Sequence, residues 1–183
     1  MIKGEKMKKE TGLIHIYYGN GKGKTTTGMG LITRAAGYGY KVLVYQFMKN
    51  NKTSERNILM QVPNITVEDG REQVKFSFQM TAEEKTEAKK FYEEEFKRIT
   101  QKADKEGYDV LFMDETIYTI SAGLLDEEMV LQFLREKREN LEVILTGNTP
   151  SEKMIQLADY VSEIRMIKHP YQKGQPARGG IEK

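Results

Sequence analysis

With 183 residues, 38% of them hydrophobic, the chain is long enough for one domain with a sizeable core. Its 29 lysines and arginines nearly balance 27 aspartates and glutamates, so a net charge of +2 offers no strong field to nucleic acid or an anionic membrane. The lack of any cysteine excludes disulfides, thiolate zinc sites and a cysteine nucleophile. Neither a secretory h-region nor a long apolar span occurs, which sets the cytoplasm as the expected location.

Residues 1–12 are polar and lysine-rich without an apolar period, and are expected to form a flexible N-terminal arm. Residues 13–183 are expected to form a single domain. Leu13-Ile14-His15-Ile16-Tyr17 opens it as a strand over about 13–18. A glycine-rich stretch follows, Gly19-Asn20-Gly21-Lys22-Gly23-Lys24-Thr25-Thr26, and then a helix over about 24–37 that Gly37 and Gly39 stop. Lys41 to Phe47 reads as a β-branched, aromatic second strand, and 48–57 as a polar loop holding Lys49, Lys52, Glu55 and Arg56. Ile65-Thr66-Val67 fits a short strand. Gln73 to Gln79 alternates and fits either a strand or an ordered loop. Thr81 with Glu84 makes a capping box for a helix reaching about 106, with Ala88, Tyr92, Phe96, Ile99 and Ala103 on one face. Tyr108 to Glu115 is an apolar strand ending in two carboxylates. Asp126 caps a helix over about 126–139, Leu141 to Gly147 is a strand, Ser151 caps a short helix through Ala158, and Tyr160 to Met166 is the last strand. This alternation predicts an α/β fold with three layers and a mostly parallel sheet.

Strand, glycine loop and helix in that order are what a phosphate-binding loop requires. Glycines bring backbone N–H groups close to an anion, and the helix N-terminus adds its own. Lys24 stands where an ammonium reaches phosphate oxygens, and Thr25 where a hydroxyl joins the shell of Mg²⁺. The pattern G-x-x-x-x-G-K-[ST] is met with one departure: Tyr18 holds the first glycine position and the glycine has moved to Gly19. Asp114 and Glu115, at the tip of a buried strand, are expected to hold the metal, against the competing reading of two surface acids or a helix cap. Asn51-Lys52-Thr53-Ser54 lacks the Asp of a guanine reader, and no lid with paired arginines appears, so a GTPase or an ordinary kinase is disfavoured. Taken alone, the residues reach a Mg-ATP-binding α/β domain. A generic P-loop ATPase or kinase and a non-catalytic nucleotide switch both stay open.

From Gly12 onward the chain resembles the P-loop type of ATP:corrinoid adenosyltransferase. The resemblance rests on the loop at 19–26 with its displaced glycine, Arg34-Ala35-Ala36-Gly37-Tyr38-Gly39, Gln46-Phe47-Met48-Lys49, Ser54-Glu55-Arg56-Asn57, Asp114-Glu115, Leu145-Thr146-Gly147, Leu157 to Glu163, Lys168-His169-Pro170-Tyr171 and Gly174 to Glu182. It implies a P-loop NTPase fold of the RecA-like kind. It also implies transfer of the 5′-deoxyadenosyl group of ATP to the cobalt(I) of a corrinoid, with intact triphosphate leaving.

On this resemblance Gly19, Asn20, Gly21, Lys22, Gly23, Lys24, Thr25 and Thr26 bind ATP, and Lys24, Thr25 and Glu115 serve catalysis. Thr25, Asp114 and Glu115 hold Mg²⁺, with Mn²⁺ as the alternative. Phe76 and Phe78 match an aromatic pair that faces the corrin, although the second member is a Trp in the family; two core aromatics of a short strand are the competing reading. Arg34 is a candidate nucleotide contact. His169 is read as a hydrogen-bonding anchor rather than a cobalt ligand, and His15 as structural. A homodimer and a flavin-dependent reductase that supplies cobalt(I) are the expected partners, with neither nucleic acid nor membrane.

Overall fold

The computed structural model describes residues 11–182. In chain order the elements are β1 (Ile14–Tyr18), α1 (Lys24–Tyr38), β2 (Val42–Gln46), α2 (Arg56–Leu59), β3 (Ile65–Val67), α3 (Ala82–Lys105), β4 (Val110–Asp114), α4 (Thr116–Ser121), α5 (Glu127–Glu136), β5 (Glu142–Gly147), α6 (Glu152–Leu157) and β6 (Tyr160–Glu163). Six strands form one sheet in the order β3-β2-β4-β5-β1-β6, and every pairing is parallel.

Period-two alternation sends side chains to two cores. Leu43, Tyr45, Leu111, Met113, Val143 and Leu145 meet α3 through Ala88, Tyr92, Phe96, Ile99 and Ala103, and α5 through Val130, Leu131 and Leu134. Val42, Val44, Val110, Phe112 and Ile144 face the other way, against Met29, Ile32 and Ala36 of α1 and Leu59 of α2. Three layers result, because each inner strand is buried on both faces and helices must cover both.

Several expected boundaries are reproduced by local chemistry. Thr81 Oγ1 accepts from Glu84 N at 3.2 Å while Glu84 Oε2 accepts from Thr81 N at 3.0 Å, a complete capping box. Asp126 accepts from Glu128 N at 2.7 Å, and Ser151 from Met154 N at 3.2 Å. Gly39 ends α1 at φ 106°, whereas Gly37 lies inside the helix.

Other boundaries move. Residues 73–79 form no strand: a single 3-10 turn, Ser77–Gln79, sits in an otherwise irregular stretch. The last strand stops at Glu163, and all four of its residues are exposed at the sheet edge. A short helix, α4, follows the acidic pair where none was expected. Residues 1–10 of the expected arm lie outside the described residues. Thr11 and Gly12, also assigned to the arm, are instead tied to the body: Thr11 Oγ1 donates to Asn140 O at 2.7 Å and Gly12 N to Glu142 Oε2 at 2.6 Å.

Candidate active site

The loop between β1 and α1 lies at the carboxyl edge of the sheet, where parallel sheets bind ligands. Two of its glycines, Gly19 and Gly21, answer to close packing. Gly19 has φ 118°, and a Cβ there would lie 2.4 Å from the carbonyl oxygen of Ile164. At Gly21 a Cβ would lie 2.8 Å from the Arg165 carbonyl carbon. The loop is pinned from behind by the chain that follows β6. Gly21 N donates to Ile164 O at 2.8 Å, Met166 N donates to Asn20 Oδ1 at 2.9 Å, and Gly19 N donates to Asn148 O at 3.0 Å. No side chain caps the N-terminus of α1. Its first N–H groups are left for an anion, as the helix dipole favours.

Lys24 and Thr25 open α1. Lys24 Nζ donates to Gly21 O at 3.0 Å, which holds the ammonium over its own loop. Thr25 Oγ1 donates to Asp114 Oδ1 at 3.0 Å, so the phosphate loop and the acidic strand tip meet directly. Asp114 is fully buried. It also accepts from Thr146 Oγ1 at 2.6 Å, from Lys49 Nζ at 2.6 Å and from Gln46 Nε2 at 3.3 Å. Burial works against the charge on Lys49, but the Asp114 carboxylate outweighs it and the lysine pKa is raised. Glu115 adopts a left-handed φ of 59°, and Thr146 Oγ1 accepts its backbone N–H at 2.8 Å. Burial, reinforced by the adjacent Asp114 charge, pushes the Glu115 carboxyl above its usual range.

A hydroxyl, a fully buried carboxylate and a second carboxylate beside it are all oxygen donors, the set that suits a hard divalent cation. Among the described residues no group of three or more His, Asp or Glu gathers, so such an ion would draw its remaining oxygens from nucleotide and water.

Two cavities share Thr25, Thr26, Glu115, Ile181 and Glu182. The first, about 370 Å³, runs along the loop from Asn20 to Thr26 and is walled by the tail from His169 to Glu182. Lys22 pairs with Glu182 across it at 3.6 Å. The second, about 880 Å³, opens beyond Lys49 toward Phe76, Tyr118 and Asn148. Phe76 and Phe78 are 65% and 77% exposed and stack on each other at 5.4 Å between centroids. They are therefore not core aromatics. Ser77 Oγ, between them, is 3.0 Å from the Tyr118 hydroxyl, which anchors this turn to α4 directly behind Glu115.

The structure thus brings Asn20 to Thr26, Glu115 and Phe76 to two adjoining cavities, with Asp114 buried behind Thr25, Gly19 packed against Ile164 and Phe78 stacked on Phe76. Arg34 is not among them. It is exposed ten residues beyond Lys24, about 15 Å along α1, because helical rise carries it away from the loop. His169 lines the first cavity, and its Nδ1 accepts from Tyr171 N at 3.1 Å, the anchoring role expected of it. His15 bonds to Glu142 at 2.5 Å and stacks on Tyr160 within the sheet. Sequence reasoning missed Thr146 and Gln46 as partners of Asp114, and noted Lys49 only as part of a basic loop. The one available signal was their position at carboxyl ends of strands.

The sequence profile of the family described as ATP:corrinoid adenosyltransferase BtuR/CobO/CobP matches residues 10–182. The chain belongs to the ATP:corrinoid adenosyltransferase family. Its activity is ATP-dependent transfer of an adenosyl group to a corrinoid. The corrinoid adenosyltransferase of Escherichia coli K12 is 37% identical over 184 residues, covering 94% of this chain and 86% of the relative. Corrinoid adenosyltransferase CobA of Salmonella typhimurium is 35% identical over 175 residues, with the same coverage. Among solved structures, the cytoplasmic domain of EssC superposes with a TM-score of 0.52 at 18% identity, over 93% of this chain and 34% of that one. EssC ATPases 2 and 3 from Geobacillus thermodenitrificans superpose at 0.50 and 16%, over 94% and 36%. The adenosyltransferase spans about a third of those chains, and the match shows a shared P-loop ATPase fold of the RecA-like kind.

Proposed function

We propose that this adenosyltransferase binds Mg-ATP across residues 19–26 and presents the 5′ carbon of ATP to the cobalt(I) of a corrinoid resting on Phe76 and Phe78. Cobalt(I) attacks that carbon, the carbon–oxygen bond to the α-phosphate breaks, and its electron pair leaves with intact triphosphate. A nucleophile this strong needs no Ser, Cys or His base. The protein's task is to orient two large ligands and to stabilise charge on the leaving group. The observation that supports this assignment best is the Thr25–Asp114 contact, on the wall between a cavity lined by the phosphate loop and one rimmed by exposed aromatic rings.

Each residue has a role in this reading. Lys24 and the loop amides from Gly19 to Gly23 hold the triphosphate, with Lys22 and Thr26 at its edge. Thr25, Asp114 and Glu115 would hold Mg²⁺ or Mn²⁺, which supplies positive charge to the leaving phosphates. Burial and the adjacent Asp114 charge raise the Glu115 pKa, and a cation held beside the pair would counter that rise. Phe76 and Phe78 present a flat apolar face to the corrin. Two chains act as a homodimer in the cytoplasm, and a flavin-dependent reductase delivers cobalt(I). Among the described residues no helix is long and apolar enough to cross a membrane.

The deciding experiment mixes the protein with Mg-ATP and chemically reduced cobalamin under anaerobic conditions and analyses both products. Adenosylcobalamin with one equivalent of triphosphate is expected. Lys24→Ala should lower the rate by about a hundredfold or more, the scale of losing one preorganised charge contact to the leaving group. ADP and phosphate with unchanged cobalamin would refute the reading.

A further inference from the structure

The loop after β2 brings an ammonium to the place where a divalent cation is expected. Met48 turns the chain with a left-handed φ of 53°, one of three non-glycine residues so placed among the described residues. Lys49 is thereby sent back over the phosphate loop. Its Nζ lies 2.6 Å from Asp114 Oδ2 and 3.2 Å from Thr25 Oγ1, touching two of the three groups assigned to the metal. Glu55 Oε1 stands 3.9 Å away, and the Gln46 side chain ties Glu55 to Asp114 by donating to both, at 2.8 and 3.3 Å. One side of Lys49 faces the larger cavity.

A fully buried carboxylate is costly unless a cation neutralises it. Here the protein supplies that cation itself. An ammonium and a divalent ion held by the same two oxygens repel each other at close range, so each weakens the hold of the other. We infer that Lys49 is an exchangeable counter-ion: it holds the Thr25–Asp114 pair in place and yields that position to the divalent ion when the nucleotide binds. The freed ammonium then swings toward the triphosphate held by the loop at 19–26. This rests on the reading of Thr25 and Asp114 as metal ligands and deepens it.

Exchange of this kind couples metal to nucleotide. The ion alone must displace a resident charge, whereas the ion with triphosphate gives the lysine a new anionic partner. Such coupling is reciprocal and measurable in binding alone. Mn²⁺ affinity is read by electron paramagnetic resonance for wild type, Lys49→Met and Lys49→Gln, with and without ATP. Lys49→Gln is included because its amide can still donate to Asp114 and so maintain the fold. Without ATP, both variants are expected to bind Mn²⁺ about tenfold or more tightly than wild type, the scale of removing one unit charge beside a partly exposed ion. The tightening that ATP produces should shrink in both. Equal or weaker Mn²⁺ binding by the variants would overturn the exchange alone. If no form binds Mn²⁺ even with ATP, the metal assignment of Thr25 and Asp114 falls, and the exchange with it.

Discussion

Helix α1 carries Lys24 and Thr25 at its start and presses Gly28 against β4, the strand that ends in Asp114. A Cβ built on Gly28 would lie 2.4, 2.6 and 3.2 Å from atoms of the Phe112 ring. Carbon atoms in comfortable contact stand about 3.5–4.0 Å apart. Phe112 is fully buried among Met29, Ile32, Val44 and Ile144, so its ring has nowhere to turn. Gly28→Ala must therefore push the helix away by about 1 Å. Overpacking of this kind costs about 1–3 kcal/mol, against about 0.5–1 kcal/mol gained from replacing a helical glycine. The net loss of up to about 2.5 kcal/mol should lower the melting temperature by up to roughly 10 °C. Gly30, two residues on, has nothing within 4 Å of its own Cβ position. Gly30→Ala should keep only the propensity gain and raise the melting temperature by roughly 1–4 °C. Displacement of α1 also lengthens the 3.0 Å Thr25–Asp114 contact, so Gly28→Ala should lose activity by up to about a hundredfold while Gly30→Ala does not. Calorimetry and initial rates on the two variants test the argument together. Gly28→Ala at or above wild-type stability would refute it, as would both changes moving the same way.

Replacing Phe76 and Phe78 with Ala should slow transfer that starts from cobalt(II) at least about tenfold more than transfer from chemically made cobalt(I); equal losses in the two assays would remove the pair from the corrin face. Glu115, raised by burial and by Asp114, binds its proton more tightly folded than unfolded, so stability falls as pH climbs from the ordinary carboxylate range through the folded pKa. Glu115→Gln should accordingly raise the melting temperature of the ligand-free protein at neutral pH and lose that gain below pH 4; a gain that persisted in acid would point to a cause other than charge. Glu142 is the opposite case: burial opposes its charge, but hydrogen bonds from His15, Gly12 and Leu13 prevail and lower its pKa. Its contribution is present above the unfolded pKa and disappears as pH falls through the folded one. Glu142→Gln should cost about 1–3 kcal/mol at neutral pH and nothing in acid, as denaturant melts at the two pH values would register.

The parts of this molecule that were readable from the chain are those fixed by neighbours in sequence. The glycine loop, the capping box at Thr81 and Glu84 and the caps at Asp126 and Ser151 are local devices, and each was found where its residues stand. Helix α4 escaped because a six-residue helix, half of it Thr and Ser and entered through a left-handed glutamate, offers neither cap nor period. Phe76 and Phe78 show why alternation alone is ambiguous: it separates two sides of a segment without saying whether either side is covered. Lys49 and Asp114 are 65 residues apart, and Thr146 and Asp114 are 32 apart. Those partnerships exist only once β2, β4 and β5 lie side by side, and strand order is not written in any single strand.

The phosphate loop has its rear wall in Ile164, Arg165 and Met166, and the bond between Asn20 and Met166 spans 146 residues. On a ribosome moving at about 5–20 residues per second, roughly 7–30 s pass between the emergence of these two residues. For that interval the growing chain carries its glycines and its lysine but has no wall to set their angles.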